Sequence, residues 1–350
     1  MNTPMASLGR RHVVLLVVGA VVVSLAVPMV IGGTQSLAQI RGLPADTYAA
    51  LFAVMLLSWT ARAVKLHLLL GRLGAGAIFS RTVAMSLAID FAFITTPCGV
   101  GGYAASVYCG RRAGLTASGA TTLTFVDQLL DLVFFAIALP LAAASLAWMH
   151  RSGGLALLAM AIALGMLALL VLAVLVHGRL ARWLCGDNVF VRRWPGLKDR
   201  QLHLLTFIAH LKTDSRLIST APAAVTALLL ISTALQWLAR YGVLWVALAL
   251  LGDLVPFALT LMSQSLILHA ALWTGVPAGG GGAELGLSAV LLPMAPATTV
   301  AAALILWRLA TFHLCLVAGV AAIAALARPH RADADEMALV AIEQAGSDVP

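Results

Sequence analysis

Pro97-Cys98-Gly99-Val100-Gly101-Gly102 and Pro277-Ala278-Gly279-Gly280-Gly281-Gly282 repeat one pattern, Pro-x-Gly-x-Gly-Gly, 180 residues apart. Each copy interrupts an apolar stretch, 82–112 in the first case and 256–293 in the second. Helix-breaking backbone at membrane depth is tolerated only where protein or a water-filled cavity satisfies the freed amides. Two such breaks in matching halves point to a transporter-like site between internal repeats. Close helix packing explains glycines alone, but proline beside a glycine cluster favours a true break. The motif residues are therefore Pro97, Gly99, Gly101 and Gly102, with Pro277, Gly279, Gly280, Gly281 and Gly282 as their partners.

The surrounding chain supports a membrane setting. Of its 350 residues 61% are hydrophobic and only 10% charged, and the mean hydropathy is +0.99. That composition predicts an all-α transmembrane, polytopic helical bundle rather than a soluble domain. The formal charge of +8 sits in loops beside apolar spans, which fits the positive-inside rule and argues against nucleic acid as a partner. Cys98, Cys109, Cys185 and Cys315 show neither paired nor metal-ligand spacing, so they read as small core residues without a disulfide framework. The apolar run from Val13 to Ile31 exceeds a signal-peptide core and predicts a retained first helix.

About six full spans follow, at 12–32, 47–70, 118–147, 154–177, 221–250 and 298–326, with two re-entrant, glycine-broken hairpins between them. Arg10 and Arg11 predict a cytoplasmic N-terminus, and Arg328 and Arg331 return the C-terminus to the same side. Arg72, Arg81, Arg111 and Arg112 flank the first broken segment at both ends, as expected of a hairpin entering and leaving from the cytoplasm. No Lys or Arg occurs in 251–297, which places the second hairpin on the outer side. The basic loop 178–219 is cytoplasmic, and its stripe of Leu202, Leu204, Leu205, Ile208 and Leu211 suits an amphipathic helix on the inner leaflet. One transmembrane domain covers 1–328, and 329–350 form a polar tail.

A second match ties the halves together. Trp59-Thr60-Ala61-Arg62 recurs as Trp237-Leu238-Ala239-Arg240, 178 residues on, each in the helix before a broken segment. Repeat 1 at about 47–147 and repeat 2 at about 221–326 then form an inverted-topology pair, which lets one site open to either side.

Ionisable residues within spans cost roughly 2.5–3.5 kcal/mol each by insertion scales, so each requires a partner or a pathway. Arg62, Lys65, Asp90, Asp127, Asp131, Arg240, Glu284 and Arg308 stand at or near membrane depth, four basic and four acidic. They allow either a structural ion-pair network or a charged cavity for a polar head group. Arginine's planar fork matches phosphate oxygens, which makes Arg62, Arg240 and Arg308 the candidate phosphate binders. Asp127 and Asp131, four apart, share a helix face. Gln128 follows Pro97 by 31 residues as Arg308 follows Pro277, so a neutral amide answers a cation across the halves. Half-helices at 104–110 and 284–292 are expected to aim free amides at the head group. His269 and His313 read as packed, hydrogen-bonded histidines, and no nucleophile, Walker or metal-binding pattern is present.

These blocks resemble a known family. Thr96-Pro97-Cys98-Gly99-Val100-Gly101-Gly102 with Asp127-Gln128-Leu129-Leu130-Asp131, and Val276 to Glu284 with Trp307-Arg308-Leu309, look like the motif blocks of the lysylphosphatidylglycerol synthase transmembrane-region (flippase-like) family. The resemblance spans roughly 10–328. Family members often carry an acid and then an arginine after the first glycines, where Tyr103 and Ser106 stand here, and Glu-Arg in place of Asp127-Gln128. In fused members this region is implicated in moving an aminoacylated phospholipid that a separate cytosolic domain makes.

The resemblance implies an inner-membrane lipid translocase without the synthetic half: not an enzyme, and without cofactor or metal. Its partner would be a membrane phospholipid, a polyprenyl-linked lipid or a hopanoid-type lipid. Arg62, Arg240, Arg308 and Gln128 would line the head-group site, with Asp127, Asp131 and Glu284 tuning selectivity or cation coupling. The alternative is a lipid-binding accessory subunit of a separate lipid or glycan transferase. Oligomerisation is compatible with both.

Overall fold

The computed structural model describes residues 4–150 and 220–327, together with isolated positions between 157 and 216. The expected span 154–177, the basic loop 178–219 and the tail 329–350 lie outside the described residues apart from those positions. Among the described residues the chain is all-helical.

Helix α1 (Pro4–Arg41) runs past the expected end at residue 32. Gly33 adopts φ 62°, a bend that glycine takes without steric cost, so the helix turns there and continues instead of stopping. Helices α2 (Ala45–Arg72), α6 (Ala223–Leu250), α7 (Phe257–Leu272) and α9 (Ala297–Arg308) begin immediately after Pro44, Pro222, Pro256 and Pro296. Proline fixes φ and lacks the N–H that a first turn leaves unpaired, so it marks these starts without loss of a hydrogen bond.

The first broken segment is α3 (Phe79–Thr95), a 3₁₀ turn at Pro97–Gly99, and α4 (Val100–Arg112). Helix α5 (Ala117–His150) follows. The second broken segment is α7, a 3₁₀ turn at Pro277–Gly279, and α8 (Gly282–Leu291). The last apolar stretch is not uniform: α9 passes through a π-helical turn at Leu309–His313 into α10 (Leu314–Ala327).

Among the described residues five stretches are long and apolar enough to cross a bilayer: Val14–Arg41, Ala45–Arg72, Ala117–Trp148, Ala223–Leu250 and Ala297–Ala327. The chain is thus a multi-pass membrane protein. The 13 residues of α4 and 10 of α8 differ from these. At 1.5 Å per residue they reach about 20 and 15 Å, short of a hydrocarbon core of about 30 Å.

Among the helix pairs that build the bundle, α2 packs on α6, α1 on α9, α3 on α10 and α7 on α5. Small residues make the close approaches, as expected where lipid removes the hydrophobic drive between helices. Gly32 faces Ala301, Gly110 faces Ala120 and Gly319 faces Phe91, with no room for a Cβ at Gly32 or Gly319. Where α2 meets α6, Ser58 Oγ donates to the Gln236 carbonyl at 2.9 Å, a bond between residues 178 apart. The two glycine turns also touch one another.

Candidate functional site

The two turns bend alike. Cys98 and Ala278 take φ 54° and 52°, the two non-glycine residues with positive φ among the described residues, and Gly99 and Gly279 follow at 69° and 63°. A left-handed L-residue costs about 1–2 kcal/mol, so the surrounding fold must impose this conformation twice. Beyond that point the turns diverge. Val100 is already helical (φ −58°, ψ −35°), whereas Gly280 is extended (φ −54°, ψ 134°) and Gly281 takes φ 83°. The second turn therefore unwinds two residues further. Both half-helices differ from expectation at their starts, Val100 rather than 104 and Gly282 rather than 284, because the turns are tighter than six residues of coil.

Between the turns lies a chamber of about 390 Å³ whose wall includes Cys98, Gly99 and Ala278 from the tips. Cys98 is exposed there, unlike the buried Cys109 and Cys315, which corrects its expected place in the core. Arg62, Arg240, Arg308, Gln128, Asp131 and Asp90 supply the polar part of the wall. Aromatic rings supply the rest, chiefly Phe93, Tyr103, Phe135, Trp237 and Trp307.

All eight intramembrane charges are paired. Arg62 Nη1 lies 3.0 Å from Asp90 Oδ1, and its Nη2 lies 3.5 Å from Asp127 Oδ2. Lys65 Nζ bridges Asp127 Oδ1 and Asp131 Oδ1, at 2.7 Å to each. Arg240 Nη1 donates to Asp90 Oδ2 at 2.9 Å. Three cations thus balance three anions across α2, α3, α5 and α6. Lys65 has no exposed surface, so its charge depends wholly on the two carboxylates that the i, i+4 spacing brings to one face.

The second group is a separate pair. Arg308 Nε donates to Glu284 Oε1 at 2.5 Å and Nη1 to the Ala278 carbonyl at 3.2 Å. Glu284 Oε2 accepts the Gly281 amide at 2.7 Å, so one carboxylate ties the unwound turn to α9. The Arg308 guanidinium stacks over Trp307, 4.5 Å from the ring centroid, and its Nη2 has no partner among the described residues.

Arg62, Arg240, Arg308, Gln128 and Asp131 therefore meet at one chamber, while Asp127 and Glu284 stand one layer behind and hold the cations in place. His269 is packed against Phe135 with Nδ1 2.6 Å from the Ser265 carbonyl, and His313 Nδ1 lies 3.0 Å from the Arg308 carbonyl. Sequence reasoning assigned no site role to Lys65, Asp90 or the aromatic wall. A charge count signalled the first two; nothing in the spacing signalled the rings. Thr96 was also missed: its Oγ1 accepts the Gly101 amide at 2.9 Å, which is the bond Glu284 makes to Gly281 in the other half.

Comparison with known sequences identifies the wider context. The chain matches the family described as Lysylphosphatidylglycerol synthase TM region over residues 14–319. No curated protein matches it.

Proposed function

The chain belongs to the lysylphosphatidylglycerol synthase transmembrane-region family, and from that premise we propose that it is a lipid translocase that passes a phosphate-bearing head group between leaflets of the bacterial inner membrane. Membership in a membrane-lipid family supports a lipid-related role; the chamber between the two turns carries the finer reading. It joins a polar wall to aromatic flanks inside the bundle, and Arg308 lines it with a guanidinium whose buried Nη2 has no partner among the described residues. A buried guanidinium with a free donor is a strong partner for a phosphate oxygen.

In this reading the segments 79–112 and 257–291 are re-entrant hairpins of an inverted repeat, dipping from opposite leaflets, with both termini cytoplasmic. The shortness of α4 and α8, the contact between the turns and the Ser58–Gln236 bond at the repeat offset support it. Acyl chains stay in the bilayer while the head group crosses the chamber. Arg308 holds phosphate with help from Arg62 or Arg240, and no bond in the lipid is broken.

The test is purified protein in liposomes holding fluorescent phospholipid that dithionite quenches from outside. Quenching beyond the outer-leaflet half, faster than in empty vesicles, is expected. Arg308→Lys keeps the charge but loses the fork, and should slow it about tenfold, the equivalent of one charged hydrogen bond. The internal balance of the ion pairs favours one rival, a lipid-binding accessory subunit of a separate transferase. Scrambling no faster than in empty vesicles, with Arg308→Lys altering lipid binding alone, would establish that rival instead.

A further inference from the structure

A second cavity, about 520 Å³, runs along the seam of α5, α6 and α7 on faces adjoining the chamber. We infer that it holds one hydrocarbon chain of the lipid whose head group occupies the chamber, an inference that rests on the translocase reading above.

The groove and the chamber use neighbouring positions of the same helices. On α5 the chamber takes Leu132 and Phe135 while the groove takes Val133 and Phe134; on α6 they divide Trp237 from Leu238. At the boundary the Phe134 ring of the groove stands 5.2 Å from the Phe135 ring of the chamber. Ala138, Ala142, Ala234 and Ala258 form the floor, so the volume exists because three helices present methyl groups where larger side chains would meet.

The lining also selects the occupant. Its two hydroxyls are spent within their own helices, Thr233 on the Leu229 carbonyl at 2.7 Å and Ser145 on the Ala142 carbonyl at 2.8 Å. Nothing there offers water the two to four partners it needs, whereas a hydrocarbon chain gains dispersion contact on several sides. The groove extends on α5 from Leu130 to Ser145, about 22 Å at 1.5 Å per residue, more than the roughly 15 Å half-thickness of the core. A full chain fits along it.

The probe is a phospholipid carrying a diazirine near its chain end, compared with one carrying it in the head group, each in nanodiscs with the intact protein. Mass spectrometry maps the adducts. The chain probe should label Ile137–Leu141 and Leu230–Leu238 at least about threefold above the lipid-facing stretch Val14–Val23, because packing and not hydrophobicity sets the preference in a bilayer. The head probe should label the chamber wall. Ala138→Phe and Ala234→Phe should remove the chain excess and leave chamber labelling in place. A series of chain lengths on one head group gives the same readout on the unaltered protein, with the excess falling as the chain shortens.

Even labelling around the belt, with the chamber still labelled, overturns the groove and leaves the translocase reading standing. Groove labelling without chamber labelling overturns both, since the slot would then hold an annular lipid. Cross-links from Leu141→Cys to residues 154–177 would overturn the inference by showing that the polypeptide fills its own groove.

Discussion

The two hairpins share a bend and differ in what locks it. In the first, the helix resumes at Val100, one residue after the left-handed pair Cys98 and Gly99, and the Thr96 hydroxyl accepts the Gly101 amide from within the same hairpin. In the second, Gly280 and Gly281 stay unwound, and Glu284 takes the equivalent amide while Arg308 of α9 holds Glu284 and the Ala278 carbonyl. Helix α1 closes over this turn as well, with Ala20 against Gly280 and Val23 against Gly281. One lock is local; the other reaches into two further helices. A neutral hydroxyl suffices where one amide is freed near a helix start. A carboxylate is needed where more backbone is exposed, and the carboxylate in turn needs its arginine at this depth. Where Glu284 stands in the second hairpin the first has Ala104, and the Thr96 hydroxyl takes the corresponding amide instead.

The largest effect should come from breaking the charged lock. Glu284 has no exposed surface and Arg308 almost none, so Glu284→Ala leaves a buried guanidinium without its counter-ion and a turn amide without an acceptor. Removal of one partner of a buried pair costs about 3–5 kcal/mol. Thermal unfolding in detergent should show that loss, or the protein should fail to purify as a single species. Glu284→Leu combined with Arg308→Leu should recover much of it, because two apolar residues carry no uncompensated charge. A double variant as unstable as the single would mean that the pair itself, rather than its balance, holds the turn.

An intermediate effect separates the hairpins at one equivalent position. A Cβ at Gly102 would fall within the Phe93 ring, which is itself held edge-on against Tyr103 at 5.0 Å. A Cβ at Gly282 would meet the Ala271 methyl at an ordinary 3.7 Å. Gly102→Ala should therefore destabilise by about 1–3 kcal/mol through overpacking. Gly282→Ala at the start of α8 should be neutral or stabilise by about 0.4–1 kcal/mol. Equal melting shifts for the two would show that both glycines serve backbone freedom alone.

The backbone events were legible because proline and glycine act locally. The spacing of Pro97 and Pro277 located both turns, and the four glycines at 279–282, against Val at position 100, already recorded the longer unwinding of the second. The charges were legible as a set but not as pairs. Four acids and four bases in a membrane must neutralise one another, yet the sequence holds no sign that Asp90 serves Arg62 and Arg240 together, or that Lys65 takes both Asp127 and Asp131. Those partners come from four helices, and side-chain reach decides them only after packing. The aromatic wall was hidden for a related reason: Phe93, Phe135 and Trp237 look like any lipid-facing ring until the helices close around them. The Thr96 lock was visible in principle, as a hydroxyl one residue before each turn's proline in one copy and a valine in the other.

That last difference yields the smallest effect and the sharpest discrimination. Thr96→Val keeps the β-branched shape that suits its extended backbone (φ −109°, ψ 145°) and deletes only the hydroxyl. It should cost about 1 kcal/mol, the usual worth of a side-chain oxygen on a helix-start amide. Val276→Thr, the reciprocal change, should do nothing, since Glu284 already occupies the Gly281 amide. In the Glu284→Leu, Arg308→Leu background that amide is vacated, and a hydroxyl at 276 could in principle take it. Recovery should nevertheless stay below about 0.5 kcal/mol, a fraction of one net hydrogen bond. The reason is geometric: ψ is −35° at Val100 but 134° at Gly280, so the peptide plane that carries the Gly281 N–H is rotated relative to the one that Thr96 serves in the first turn. Recovery of the full amount would show that the two turns can exchange locks freely, and that the extra unwinding of the second is a consequence of Glu284 rather than of its glycines.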